Sequence, residues 1–385
     1  MWPFVSGLGI VYTALCAYIG ARLFGFVRFF FPGMKVGFLA LAFWLPFALL
    51  CYANIIFNFL HLNRLHFLRI FSSYWMAFFA YMLVFLVMFD LVRLVFLLLH
   101  RSVLTPHFSA AGVSAAIVLC FMMIASGTLH ACSIRTANYV LNVAGCGDNL
   151  RIALISDLHI GLTVDQAWVA RVVNTINQAE PDMVCVAGDI FDSNMDSVSD
   201  MPGIVSELRR IKAPLGVYAC LGNHDVDRIS LSQGGGNERI VNFLHDAGIV
   251  LLEDEVREIG ENIYLAGRRD PRPIGMRSSR KSAAELLAGL DRDRTHIVME
   301  HQPTQFPQVE QAGADLLLCG HTHAGQIFPA TLITRYIYKK AGGTHYGHWQ
   351  GKTMQAVVTS GVGMWGPPIR VGTDSEVAVI DIHFN

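Results

Sequence analysis

Apolar residues run almost unbroken through the first third of this chain and then break into short, punctuated runs. Long stretches cover about Val5 to Phe24, Val36 to Leu60, Phe71 to Leu99 and Ala110 to Ile134. Each is near or above the roughly 20 residues a bilayer-crossing helix needs. The pattern predicts four transmembrane helices within residues 1–135, joined by short loops at Phe29 to Gly33, His61 to Ile70 and His100 to His107. Beyond that point the period changes. Arg151 to Ser156, Met183 to Ala187, Val217 to Leu221, His296 to Glu300 and Asp315 to Cys319 are short apolar runs, each closed by a glycine or polar turn, as buried strands are. Between the first two lies Val164 to Gln178, with Val169, Val172, Val173 and Ile176 at helical spacing. The expected architecture is an N-terminal all-α membrane bundle, residues 1–135, followed by a layered α/β domain, residues 136–385. Their junction falls between Ile134 and Asn149, where a first strand leads into a Gly-Cys-Gly-Asp turn.

Charge sharpens this division. Residues 1–135 carry eight Lys or Arg and one acid, Asp90, a net +7, while the remainder carries −8. So few charges cannot cover the surface of a water-soluble helical domain. A cleavable signal peptide does not fit either, since three more apolar runs follow the first and no basic start precedes it. An acidic second domain argues against nucleic acid as a partner, because proteins that grip phosphate backbones carry basic surfaces. The basic, Phe- and Leu-rich membrane section points instead to a lipid surface with anionic headgroups. Asp90 lies one helical turn from Arg93, which leaves two readings: an intramembrane ion pair, or an ionisable group serving transport. Arg22, Arg28, Lys35, Arg93 and Arg101 flank one side of the bilayer, against Arg64, Arg69 and Arg135 on the other. The count favours an external second domain. Cys185, Cys220 and Cys319 sit in strand runs and read as buried free thiols, and Cys146 has no evident partner. No disulfide framework emerges.

Five clusters follow the strand runs: Asp157-Leu-His159, Gly188-Asp189-Ile-Phe-Asp192, Gly222-Asn223-His224-Asp225, His301-Gln-Pro303 and Gly320-His321-Thr-His323. All five sit just past strand C-terminal ends, where open sheets with helical crossovers gather site residues on converging loops. Carboxylates, neutral imidazoles and an amide oxygen are what a pair of divalent cations requires.

These clusters resemble the calcineurin-like metallophosphoesterases, whose pattern is D-x-H, G-D-x-x-D, G-N-H-[DE], a lone His and G-H-x-H. The likeness covers roughly residues 140 to 385. Gly320-His-Thr-His-Ala-Gly-Gln326 and Trp365-Gly-Pro-Pro-Ile-Arg370 are similar to the bacterial branch that includes YkuE- and YaeI-type phosphodiesterases. The resemblance implies a β-sandwich flanked by helices. It also implies two divalent metal ions, Mn²⁺ first among Mn, Fe, Zn and Mg. One would be held by Asp157, His159, Asp189 and His323, the other by Asp189, Asn223, His301 and His321, with Asp189 as the bridge. It further implies His224 as the group that meets the phosphoryl oxygen or protonates the leaving alkoxide, Asp192 as its orienting carboxylate, and a metal-activated hydroxide as the attacking species.

The expectation is thus a membrane-anchored phosphoesterase acting on a lipid or lipid-linked phosphate or pyrophosphate, since an anchor raises the effective concentration of a substrate in the same bilayer. The resemblance includes the UDP-diacylglucosamine pyrophosphatases of lipid A synthesis as one option if the domain is cytoplasmic. Ser193 follows Asp192 where the protein-phosphatase branch has an Arg-Gly pair, which disfavours that activity. A membrane transport or scaffold protein carrying a phosphatase-like binding domain and a phosphodiesterase of soluble substrates stay open as alternatives, as does the oligomeric state. Four local features also carry two readings each. Asp225 either orders the Asn-His loop or caps a turn. Arg268 to Lys281 is a headgroup patch or a solvated loop. His345 and His348 line the cleft or sit in a surface loop. Ser232 to Gly236 is a loop near the site that admits or covers substrate.

Overall fold

The computed structural model describes residues 2–59, 66–99, 105–143, 145, 147–192, 195–225, 238–271 and 280–384. The chain divides into two compact units, Met1–Thr128 and Leu129–Asn385.

The first unit is built on α1 (Trp2–Phe30), α2 (Val36–Phe59), α3 (His66–Leu98) and α4 (Pro106–Ala131). All four are long and apolar enough to cross a membrane. Thr105 accepts the N–H of Phe108, and Pro106 occupies the first turn, so α4 starts on a capped end. Several limits differ from the hydropathy reading: α1 runs from Trp2 on to Phe30, and α4 starts at Pro106, four residues before its apolar run. α3 begins at His66, ahead of its apolar run, and so absorbs the second half of the expected loop. α4 ends at Ala131, because Ile134, though apolar, already pairs with Ser375 in a strand ladder. Asp90 accepts from Tyr18 and Arg22 of α1 as well as from Arg93, the last at 3.3 Å. The intramembrane acid is therefore the centre of a small ionic network that ties α1 to α3.

The second unit contains β1 (Ile134–Val143), β2 (Leu150–Ile155), α5 (Gln166–Gln178), β3 (Met183–Ala187), α6 (Met201–Leu208), β4 (Val217–Cys220), α7 (Glu238–Asp246), β5 (Val250–Leu251), β6 (Glu255–Ile259) and β7 (Ile263–Gly267). It continues with α8 (Ala283–Leu286), β8 (Thr295–Met299), α9 (Phe306–Gln311), β9 (Leu316–Cys319), α10 (Ala330–Lys340), β10 (Gly347–Gln350), β11 (Gln355–Val358) and β12 (Ser375–Phe384). Two six-stranded mixed sheets form, in the orders β1-β12-β2-β3-β4-β5 and β10-β11-β9-β8-β7-β6.

Period-two alternation explains the layering. Ile152, Leu154, Met183 and Cys185 of one sheet share a buried cluster with Ile297, Met299, Leu316 and Leu318 of the other. Ala153, Ile155, Val184 and Val186 point the opposite way, onto Val169, Val172, Val173 and Ile176 of α5. Val298 and Leu317 pack outward with Phe306 and Val309 of α9. Both faces of each central strand are buried, which is why the strands read as continuous apolar runs. The result is the helix-flanked β-sandwich that the motifs imply.

Candidate metal centre

The site follows from strand direction. β2, β3 and β4 are parallel neighbours in one sheet, and β8 and β9 are parallel neighbours in the other. The turns that leave their C-terminal ends meet at one edge of the sandwich. Asp157, His159, Asp189, His321 and His323 all take left-handed φ values, between 48° and 74°. Non-glycine residues pay about 1–2 kcal/mol for that conformation, and such strain gathers where side chains must be aimed. Cross-turn bonds hold them: Asp157 N–H to Gly188, His159 N–H to Asp189 and Gly320 N–H to His301, at 2.9 to 3.0 Å. Gly188 has φ +81°, and a Cβ there would come 2.8 Å from Nδ1 of His301. The motif glycine therefore admits the imidazole.

Two groups of donors converge. In the first, Oδ2 of Asp157 is occupied by the Ser156 hydroxyl and the His321 N–H, which leaves Oδ1 without a hydrogen-bond partner. That oxygen lies 3.3 Å from Nε2 of His323 and 3.9 Å from Nε2 of His159, and the two imidazole nitrogens are 3.0 Å apart. In the second, Nε2 of His301 lies 3.2 Å from Oδ2 of Asp189, 3.2 Å from Oδ1 of Asn223 and 3.2 Å from Nδ1 of His321. Oδ2 of Asp189 also faces Nε2 of His159 at 3.8 Å, so it borders both groups. Its Oδ1 accepts the His224 N–H. His301 donates from Nδ1 to the Ala187 carbonyl at 2.8 Å, which aims Nε2 at Asp189, Asn223 and His321.

The electrostatics fit cations. Burial pushes the imidazoles of His159 and His323 below their ordinary range, and burial with His301 nearby lowers His321 to about 3. Neutral imidazoles are the ligand form. Burial opposes ionisation of Asp189, yet His301 and the other imidazoles outweigh it and hold its carboxyl well below the usual range. Against burial, Asp189 and Asp157 hold His301 up at about 10. Asp189 thus draws positive charge into the site, a demand that divalent cations meet, while burial raises the carboxyl of Asp157, a cost that an adjacent cation would offset. The orphaned Oδ1 of Asp157 and the facing Nε2 atoms fit such ions, and the nearest carboxylate and imidazole donors form compact groups, Asp157-His159-His323 and Asp189-His301-His321.

The remaining motif residues surround these donors. Nδ1 of His224 meets the main-chain carbonyl of Asp192, while the Asp192 carboxylate is 4.0 Å away and also 3.8 Å from Nδ1 of His159. Asp192 thus meets His224 through its backbone oxygen, with its carboxylate at the edge of ion-pair range. Asp225 is fully buried and accepts from the N–H groups of Gly222, Ile190 and Phe191. Of its two readings the loop-ordering one holds: it ties the Asn-His turn to the Gly-Asp turn. Sequence reasoning missed the purpose of Gln326 and Arg370, although both stood in quoted motifs. Gln326 donates to the carbonyls of Trp365 and Pro367 and accepts the Trp365 N–H. Arg370, fully buried, donates to the carbonyls of Ser360, Gly361 and Gly363. That loop in turn supports Asp157, whose carbonyl accepts the Gly363 N–H.

A cleft of about 420 Å³ opens onto the donors, lined by His159, Asp189, Asn223, His224, His321 and His323 on one side and by Gln326, Ala330, Thr334 and Trp365 on the other. His345 and His348 border a separate cavity with Arg335 and Lys339. In the stretch Arg268 to Lys281, Arg268 and Arg280 both bind the buried Glu300, so these two charges serve the interior. Residues 272–279, and Ser232 to Gly236, lie outside the described residues.

Residues 150–325 match the calcineurin-like phosphoesterase family model. An uncharacterized metallophosphoesterase of Aquifex aeolicus is 30% identical over 239 residues, covering 61% of this chain and 86% of that one. One from Helicobacter pylori strain J99 is 32% identical over 239 residues, 60% and 59% of the two chains. A zebrafish (Danio rerio) transmembrane protein with metallophosphoesterase domain is 30% identical over 243 residues, 60% and 53%. The match thus spans little more than half of the Helicobacter and zebrafish proteins. With the motifs, the sandwich and these relatives together, the chain belongs to the calcineurin-like metallophosphoesterase family.

Proposed function

We propose that the chain is a membrane-anchored, dinuclear metal-dependent phosphoesterase whose substrate is a lipid or lipid-linked phosphoester or pyrophosphate. One observation carries the dinuclear reading: Oδ2 of Asp189 faces His301 at 3.2 Å and His159 at 3.8 Å, between two separate donor groups. Asp157, His159, Asp189 and His323 would hold one cation, and Asp189, Asn223, His301 and His321 the other. When bound, a cation pair supplies a hydroxide at neutral pH and neutralises charge on the phosphoryl oxygens.

The protein's own groups do the rest. Asn223 and the histidines fix the depth at which a phosphoryl group enters the cleft. His224, anchored through Nδ1 on the Asp192 carbonyl, keeps Nε2 for the substrate and there donates a proton to the departing alkoxide. Asp192, near His159 and His224, tunes the local charge. Ser156 and the His321 N–H fix Asp157, so that only Oδ1 is offered.

Four helices long and apolar enough to cross a membrane support a lipid substrate, because tethering favours substrates in the same bilayer. The ionic network around Asp90 supports the packing reading of that acid over the transport one. The test is hydrolysis by the full chain, with Mn²⁺, of bis(p-nitrophenyl) phosphate, p-nitrophenyl phosphate and a panel of lipid phosphoesters and pyrophosphates. Preference for a lipid ester supports the reading; metal-dependent turnover of soluble esters alone overturns its substrate half.

A further inference from the structure

The helix α10 is amphipathic the wrong way round for a soluble domain. Its half-buried residues are Thr331, Thr334 and Tyr338, spaced at three and four, so this mostly polar face rests on the domain. The opposite face carries Leu332, Ile333, Tyr336 and Ile337, exposed by 57%, 60%, 67% and 56%, and no residue of the helix is buried. At its N-terminal rim stand Phe328, exposed by 46%, and Trp365, exposed by 50%. An apolar surface of this kind on a soluble unit marks an interaction site, since isolated exposed residues are common but a contiguous helical stripe is not.

Charge identifies the occupant. Ala330–Lys340 contains Arg335, Lys339 and Lys340 and no acid, although the second section of the chain is acidic as a whole. None of the three forms an ion pair among the described residues. A short basic helix with Leu, Ile and Tyr on its outer face is the composition that lies in a bilayer interface, with apolar side chains among acyl chains and cations at the phosphates. Trp365 at the rim and Tyr336 on the outward face suit the same depth. A second copy of the chain fits less well, because a two-fold contact would bring the three cations against their own copies.

We propose that the outward face of α10, with Phe328 and Trp365, docks on an anionic phospholipid surface. Ala330 and Thr334 of the same helix line the catalytic cleft, so docking would set the cleft mouth at the level of lipid headgroups. The proposal deepens the lipid-phosphoesterase reading and rests on it only for its purpose; the contact with lipid stands on the helix itself.

The test uses the full chain in phospholipid nanodiscs with a benzophenone amino acid at Ile333 or, as a control, at the exposed Val241 of α7. After irradiation, mass spectrometry identifies what each position captured. Lipid adducts at Ile333 several-fold above those at Val241, rising with phosphatidylglycerol content and falling when Arg335, Lys339 and Lys340 are all changed to Glu, are expected. Equal capture at both positions, adducts to a second copy of the chain, or no lipid adduct at Ile333 would each overturn the proposal. Hydrolysis is not read, so docking and phosphoesterase activity can fail separately.

Discussion

Oδ2 of Asp189 lies 3.2 Å from Nε2 of His301, although the two residues leave different sheets, Asp189 after β3 and His301 after β8. The contact closes the sandwich at its catalytic edge, and every other donor is arranged around it. Packing of the two sheets and geometry of the site are therefore coupled.

Asp225 is the first place to test that coupling. Its carboxylate accepts three main-chain N–H groups from two motif turns. Asp225→Asn replaces one acceptor oxygen by an amine facing those donors. Leaving a buried donor unpaired costs about 1–3 kcal/mol, and a lost supporting contact lowers metal affinity about 10–100-fold. Thermal melts and Mn²⁺ titration check both; a variant with wild-type values would make the turn-tying role wrong.

His224→Ala is expected to lower kcat by about 10²–10⁴-fold, the range for a positioned proton donor, with metal content unchanged. The loss should be large for alkyl esters and small for p-nitrophenyl esters, whose leaving group needs no proton. Equal losses on both would remove His224 from the proton-transfer role.

Much of this site was legible beforehand, for a physical reason. Strands buried on both faces leave uninterrupted apolar runs such as Met183–Ala187, and turn chemistry at their ends stands out against them. What escaped depends on the main chain. No side-chain pattern shows that His224 would lean on the Asp192 carbonyl, because a backbone acceptor has no letter in the sequence. Neither reading of the basic stretch starting at Arg268, headgroup patch or solvated loop, includes a buried ion pair, because the counter-charge Glu300 is 32 positions away at the end of a strand run. The C-terminal limit of α4 falls three residues short of its apolar run because Ile134 is as apolar as a span residue and its strand partner lies far downstream. The outward stripe of α10 escaped because periodicity reveals an apolar face and not which way it points.

Asp315 gives a pH dependence. Burial raises its carboxyl above the ordinary 3.8 while it accepts the His296 N–H at 2.7 Å. The folded state then holds the proton more tightly than the unfolded chain. Its contribution to stability is complete below about pH 3.8 and is lost as pH rises through the raised value. Asp315→Asn keeps an acceptor oxygen and cannot ionise. In chelator, its melting temperature should equal that of the unmodified chain at low pH and exceed it at neutral pH; a gap that is constant or reversed contradicts the assignment.

In the membrane unit, Asp90→Ala leaves Arg22 and Arg93 without their shared carboxylate. Uncompensated charge inside a span is costly, so the variant should melt several degrees lower in detergent while hydrolysis of bis(p-nitrophenyl) phosphate persists. Loss of hydrolysis with an unchanged melt would mean that Asp90 serves the reaction rather than helix packing.

The most direct test of the dinuclear account is elemental analysis of the purified full chain and its Asp189→Ala variant, with turnover of bis(p-nitrophenyl) phosphate measured on the same samples. The account predicts about two divalent cations per chain, activity that disappears on chelation and returns with Mn²⁺, and an Asp189→Ala variant that holds at most one cation and does not turn over. Full activity after chelation, or an Asp189→Ala chain that keeps both its metal and its turnover, would contradict it.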